Sequence, residues 1–200
     1  MMLGQIGGFI RGALRKRSTY LFLLLVVFLL VMVPVVRVPG DESEAGDVGE
    51  LHALVYALQK AQAAGKASVS LPDASNNRAW ARAAGEDDVT AWRKAAKRTF
   101  KQSPVVVFSK SYCPYSRRAK ELLASFSLDP APLIFELDLR EDGREIQDLL
   151  FTLTGRGTVP NVIVGGQSIG GADDIAALHA AGRLEPILNQ AILAARRPRS

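Results

Sequence analysis

One cysteine and two histidines are all that this 200-residue chain carries of the usual sulfur and imidazole chemistry. A lone cysteine cannot close an internal disulfide, so stability has to come from a packed core. Neither His52 nor His179 stands at metal-ligand spacing from Cys113 or from the other, so no metal site is expected and both are read as incidental. There is no Asn-x-Ser/Thr sequon, so glycosylation gives no support to a lumenal location and little weight against one. Basic residues lack the interleaved aromatics of a nucleic-acid motif, which leaves no reason to invoke that partner.

Charge is absent from Tyr20 to Val36, an apolar run that is about 25 Å long as a helix at ~1.5 Å per residue. That length suits an endoplasmic-reticulum (ER)-like bilayer core of about 27 Å better than a plasma membrane of about 32 Å. Arg11, Arg15, Lys16 and Arg17 precede it with no acid, and Asp41, Glu42, Glu44, Asp47 and Glu50 follow. The positive-inside rule then places the N-terminus in the cytosol and the rest in the lumen. A cleavable signal peptide would share the basic start, but its apolar region is shorter, and Val35-Val36-Arg37-Val38-Pro39-Gly40 is a poor cleavage site. Arg15-Lys16-Arg17 resembles an arginine-type retrieval signal, with plain topogenic charge as the simpler reading. The basic tail and Arg196, Arg197 and Arg199 account for part of the net charge of +5.

The expected layout is a cytosolic tail at 1–17, a transmembrane anchor at 18–38, a partly helical lumenal stem at 39–87 and a domain at 88–200. In the stem, Asp47 to Lys66 has helical spacing, with Leu51, Leu54, Val55 and Leu58 on one face. Gly65 and the stretch Ser68 to Asn77 break it. This helix is read by default as a solvated spacer, with a dimer contact or an element packed on the domain left open.

The domain opens with Glu86-Asp87-Asp88 as a helix cap, and the helix runs through Val89, Trp92, Ala96 and Phe100. Val105 to Phe108 is continuously apolar, as a central strand covered on both faces should be. A helix after Cys113 includes Leu122, Leu123 and Phe126 and stops at Asp129-Pro130-Ala131-Pro132. Leu133 to Leu139 reads as a strand and Arg144 to Thr154 as a crossover helix, which implies parallel pairing. Val159 to Val164 is a strand beginning at Pro160, turned by Gly165-Gly166 into an antiparallel partner at Ser168-Ile169. Helices Asp173 to Ala181 and Leu184 to Ala195 close the chain. The pattern is α/β: a four-stranded mixed sheet flanked by helices.

Cys113 follows the apolar strand directly, and Pro114 suits a first helical turn, where a missing N–H costs nothing. Cys113 is thus expected to cap a helix, its sulfur facing free N–H groups and the positive macrodipole end, with Lys110, Arg117 and Arg118 adding to the field. A thiolate of lowered pKa is a nucleophile at neutral pH. The bland alternative is an inert core thiol.

Cys113-Pro114-Tyr115-Ser116 after a strand, with Lys110 three residues earlier, resembles the active site of a glutaredoxin whose second cysteine is serine. Thr158-Val159-Pro160 and Ser168-Ile169-Gly170-Gly171-Ala172-Asp173-Asp174 are similar to that family's other two glutathione-site motifs, in the same order. The resemblance covers about residue 88 onward and implies a thioredoxin-like fold; with the anchor, it extends to the fungal glutaredoxins of the early secretory pathway. It implies that Cys113 attacks protein–glutathione mixed disulfides, that Ser116 leaves a monothiol mechanism, and that the partners are glutathione and glutathionylated proteins. Val159 would offer its backbone to glutathione if the Val159–Pro160 bond is cis, an ordinary trans proline being the alternative. Lys110 and Gln147 would receive the glycyl carboxylate. Arg156 is a helper set one place off the family pattern, since the basic residue in many relatives falls where this chain has Gly157. Gly171 and the helix start at Ala172 and Asp173 would receive the γ-glutamyl carboxylate, with Asp174 or Asp173 for the amino group; the alternative is that these acids only cap the helix, and the two roles are compatible. Tyr115 would flank the sulfur, or simply pack on the sheet.

Two other functions stay open: a glutathione-ligated [2Fe-2S] dimer using Cys113 of each copy, which Pro114 disfavours by stiffening the helix entry, and a tethered binding module with an incidental thiol. The expected location is the ER or Golgi membrane, single-pass, with the catalytic domain lumenal.

Overall fold

A computed structural model of the chain describes residues 49–72 and 76–197. The expected tail at 1–17 and anchor at 18–38 lie outside them, and among the described residues no helix is long and apolar enough to cross a membrane. In chain order the elements are α1 (Glu50–Ala63), α2 (Asn77–Ala83), α3 (Val89–Ala96), α4 (Thr99–Gln102), β1 (Val105–Ser109), α5 (Pro114–Ala124), β2 (Leu133–Glu136), α6 (Gly143–Thr154), β3 (Asn161–Val164), β4 (Gln167–Gly170), α7 (Ala172–Ala180) and α8 (Leu184–Arg196).

The sheet order is β2-β1-β3-β4. β1 pairs parallel with β2, Val107 opposite Ile134, and antiparallel with β3, Val107 opposite Val162. β3 and β4 form the antiparallel hairpin. β1 is buried along its whole length, which its unbroken apolar run requires of a strand covered on both faces. Its side chains divide by the period of two. Val105 and Val107, with Val162 and Val164, pack against Leu123 of α5, Ile175 of α7 and Leu188 of α8. Val106 and Phe108, with Ile163, pack against Ile146 and Leu150 of α6 and against the N-terminal helices. The expected thioredoxin-like architecture, a four-stranded mixed sheet between helices, is what the chain adopts.

α1 is not a solvated spacer. Ala53, Leu54, Val55, Ala57 and Leu58 are each 0% exposed and belong to the same core as Trp92, Phe108 and Ile146. Of the three roles left open for this helix, the described residues support the packed element, because five buried apolar side chains on one helix are removed from water only by tertiary contact. Polar ties accompany the packing. Tyr56 donates its hydroxyl to Glu86 at 3.0 Å and Gln59 its amide to the Ser103 hydroxyl at 3.0 Å. After α1, the Val69 N–H donates to the Asp142 carboxylate at 2.6 Å, and Arg140 donates to the same carboxylate at 2.8 and 2.7 Å. The segment before residue 88 thereby docks on the start of α6.

Three boundaries differ from expectation for local reasons. The stretch read as a break ends in a capped helix, the Asn76 carboxamide oxygen accepting from the Arg78 N–H at 2.9 Å, as N-cap residues do. The helix expected through Phe100 is two: α3, capped by Asp88 on the Thr90 N–H at 2.8 Å, and the short α4. The strand expected to reach Leu139 stops at Glu136 and turns through a 3-10 segment, Leu137–Leu139. There Gly143 lies so close to the Leu137 carbonyl oxygen that a β-carbon on it would overlap that atom. Only glycine permits this approach of two backbones.

Candidate active site

Cys113 occupies the N-cap of α5, in extended backbone conformation, with Pro114 at the first helical position. The geometry follows from the local sequence: a strand that ends at Ser109, a turn in which the Cys113 N–H donates to the Lys110 carbonyl at 3.0 Å, and a proline whose fixed φ starts the helix. The sulfur is partly exposed. Burial pushes the thiol up, but the Ser116 N–H and hydroxyl, the Tyr115 N–H and the charge of Lys110 together outweigh it, and the pKa is lowered from the ordinary thiol value. The N–H groups act on the sulfur without closing a full capping hydrogen bond. As a thiol, the sulfur instead donates a weak hydrogen bond to the Val159 carbonyl at 3.9 Å. Deprotonation removes that donor and leaves the helix N–H groups as the favourable partners.

Ser116 is fully buried, and its hydroxyl oxygen accepts from the Lys110 N–H at 3.3 Å. With its lone pair so engaged, its hydrogen is available to the sulfur. The serine at the fourth position of the motif is therefore part of the electrostatic setting of Cys113 and not merely a missing thiol. The Arg118 charge expected to add to this field is directed elsewhere: its guanidinium pairs with Asp173 at 3.2 Å and lies 5.6 Å from the centroid of the Tyr115 ring. Tyr115 is 50% exposed and does not pack on the sheet.

Asp138 is a contributor that the sequence did not signal. Its carboxylate accepts from the Ser111 N–H at 2.8 Å and from the Ser111 hydroxyl. The Ser111 hydroxyl, the Ser111 N–H and nearby Lys110 hold its pKa below the usual carboxylate value. This tie fixes the turn that presents Cys113, and no local motif announces it because Asp138 lies 27 residues away, on the far side of β2.

The Val159–Pro160 bond is cis. Val159 lies before the paired stretch of β3, which begins at Asn161 opposite Phe108, so its backbone is not consumed by the sheet and its carbonyl stands beside the sulfur. Thr158 is exposed; Pro160, Gly171 and Ala172 are buried. Gly171 lies against Pro160: a β-carbon there would stand 3.1 Å from the Pro160 carbonyl oxygen. Lys110 and Val159 therefore stand at Cys113, Pro160 follows Val159, and Gly171 lies against Pro160.

Other expected residues are placed differently. The Gln147 amide donates to the Gly157 carbonyl and holds the loop before Thr158. Asp174 accepts from the Gly171 N–H at 2.7 Å, which caps α7, and its carboxylate also pairs with Arg156. Asp173 is paired with Arg118. Beneath the loop, Ser168 donates to Asn161 at 2.6 Å and Asn161 to Thr154 at 3.0 Å, fastening residues 154 and 168 to the sheet.

Among the described residues no three His, Cys, Asp or Glu side chains are grouped to hold a metal. One thiolate per chain does not fit an iron–sulfur cluster unless other ligands come from glutathione and a second copy.

The arrangement can perform thiol–disulfide exchange: an activated, partly exposed thiolate beside a backbone edge that the sheet leaves free. The comparisons agree with that chemistry. A family model described as Glutaredoxin matches residues 105–169. Glutaredoxin-C8 of Oryza sativa subsp. japonica is 50% identical over 93 residues, 46% of this chain and 68% of that protein. Monothiol glutaredoxin-S6 of the same plant is 55% identical over 84 residues, covering 42% of this chain and 63% of that protein. A glutaredoxin of Ricinus communis is 46% identical over 95 residues, 48% of this chain and 91% of that protein. On its fold, its thiol site and these relatives, the chain belongs to the glutaredoxin family and is a glutaredoxin thiol oxidoreductase.

Proposed function

We propose that the protein reduces protein–glutathione mixed disulfides by a monothiol mechanism. The Cys113 thiolate attacks the glutathionyl sulfur, the substrate disulfide breaks, and the substrate thiolate leaves and takes up a proton. The new Cys113–glutathione disulfide is then attacked by the thiolate of a second glutathione, which releases glutathione disulfide and restores the Cys113 thiolate. The observation that carries this reading is the lone sulfur at the start of α5 with the Ser116 hydroxyl, not a second thiol, beside it. The free backbone of Val159 suits the extended peptide of glutathione, and Lys110 suits its carboxylate near the sulfur. A monothiol relative, 55% identical over 84 residues, is in keeping with the mechanism.

The reading extends to location: a single-pass anchor at 18–38, a cytosolic tail at 1–17 and a catalytic domain in the lumen of the ER or Golgi, as in the membrane-anchored fungal members of the family. Its support is the uncharged run from Tyr20 to Val36 and the basic residues ahead of it.

Two measurements test the proposal. In a glutathione-coupled assay on a glutathionylated peptide, the full chain turns over and Cys113→Ser does not; an inactive wild-type chain would refute the enzymatic reading. In sealed microsomes, the domain after residue 38 resists added protease until detergent is present. Digestion without detergent sinks the lumenal assignment alone.

A further inference from the structure

We propose that Arg156 selects the γ-glutamyl end of glutathione, its guanidinium pairing with the α-carboxylate while Asp174 receives the α-amino group; this rests on glutathione being the co-substrate. Arg156 stands one place before the position where a basic residue was expected to serve the glycyl end. In the fold it turns the other way. One guanidinium nitrogen, Nη2, pairs with Asp174 Oδ2, and the other, Nη1, donates to the Thr158 hydroxyl at 3.4 Å. A β-carbon on Gly171 would stand 2.9 Å from Arg156 Nη1 and 3.1 Å from the Pro160 carbonyl. The guanidinium therefore rests on the Gly171 backbone, next to the proline that follows Val159, whose carbonyl is 3.9 Å from the sulfur. Lys110 is the cation acting on the sulfur itself. The two cations thus stand at different places, Lys110 near Cys113 and Arg156 beside Gly171.

The chemistry of the pair decides which end of the ligand it fits. Asp174 Oδ2 is taken by Gly171 and Arg156, and Oδ1 has no hydrogen bond among the described residues. The Asp174 side chain is 50% exposed and that of Arg156 32% exposed, and both line an open cavity of about 500 Å³ with Thr154, Thr158, Ser168 and Gly170. A lone carboxylate, such as that of the glycyl end, approaching Arg156 meets the like charge of Asp174 beside it. An α-amino acid zwitterion does not: its carboxylate faces the guanidinium and its ammonium the Asp174 carboxylate, giving four charges of alternating sign. Glutathione carries such a zwitterion only at its γ-glutamyl end.

The test uses S-methyl thioethers, which cannot exchange, so binding is read apart from turnover. On the full chain, Arg156→Ala weakens S-methylglutathione by about tenfold, the size expected of charge-assisted hydrogen bonds, with an unchanged melting temperature. The same tenfold ratio persists on S-methyl-γ-glutamylcysteine, which lacks the glycine. It vanishes on the analogue whose γ-glutamyl group is replaced by 4-aminobutanoyl, which lacks the α-carboxylate. A ratio that survives on the 4-aminobutanoyl analogue, a ratio that disappears with the glycine, or no binding of S-methylglutathione overturns the assignment. Loss of turnover with this binding pattern intact overturns the reaction proposed above and leaves the role of Arg156 standing.

Discussion

The thiol of Cys113 is governed by three residues, Ser116, Tyr115 and Lys110, that local sequence weighs unequally. Burial opposes ionisation, and the Ser116 N–H and hydroxyl, the Tyr115 N–H and Lys110 together overcome it. A lowered pKa for a group whose reactive form is the deprotonated one means that activity rises with pH and levels off below the titration of an ordinary cysteine. Ser116→Ala removes the hydroxyl and leaves the N–H groups. We predict that the inflection of the pH–rate profile then moves upward and that the rate at neutral pH falls about three- to tenfold, the two proteins converging at high pH. Iodoacetamide alkylation of Cys113 followed against pH checks this; identical profiles would confine Ser116 to filling space.

α1 shows what happens when a helix of weak local signal meets a large apolar surface. Its apolar face was legible from the spacing of Leu51, Leu54, Val55 and Leu58, yet what that face covers was not, because spacing reports a face and not a partner. In the fold, Leu54 and Leu58 are 0% exposed within the core that also holds Trp92 and Phe108. Leu58→Ala is therefore expected to destabilise the protein by about 2–5 kcal/mol, the range for a large-to-small change in a packed core. Urea unfolding should show a single transition at lower midpoint by both fluorescence and circular dichroism. A solvated helix would tolerate the change within about 0.5 kcal/mol. The same contrast of face and partner explains the early end of β2, where the close approach of Gly143 to the Leu137 carbonyl marks the break.

The N-terminal helices also tie the whole domain to pH. His52 of α1 packs edge-on against Phe100 of α4, ring centroids 4.7 Å apart, and reaches the Gly165-Gly166 turn between β3 and β4, where a β-carbon on Gly166 would stand 3.2 Å from its ring. Burial lowers its pKa from the usual imidazole value. The sign follows from linkage: below about pH 6.5 the unfolded chain binds a proton that the folded chain resists, so stability is complete above that value and is lost as pH falls toward the folded pKa. The melting temperature should drop on going from pH 7 to pH 5, and His52→Phe should flatten that part of the curve. An equal slope in both proteins would place the titration elsewhere. The burial of His52 against Phe100 is set by the fold and not by its sequence neighbours.

The single thiol, the helix start built by Pro114, the β1 apolar run and the order of elements were all determined by the amino-acid sequence, because each depends on neighbours within a few residues: a proline's fixed φ, a strand's alternation, a cap's free N–H groups. The direction of Arg156 toward Asp174, the tie of Ser111 to Asp138, the withdrawal of Gln147 to the Gly157 carbonyl and the packing of α1 were decided only by tertiary structure. Those pairs are separated by between 10 and 27 residues, and α1 lies further still from the strands it covers. Their partners are chosen by which surfaces the sheet brings face to face, and charge or apolarity along the chain states what a side chain can do without stating which neighbour it will meet.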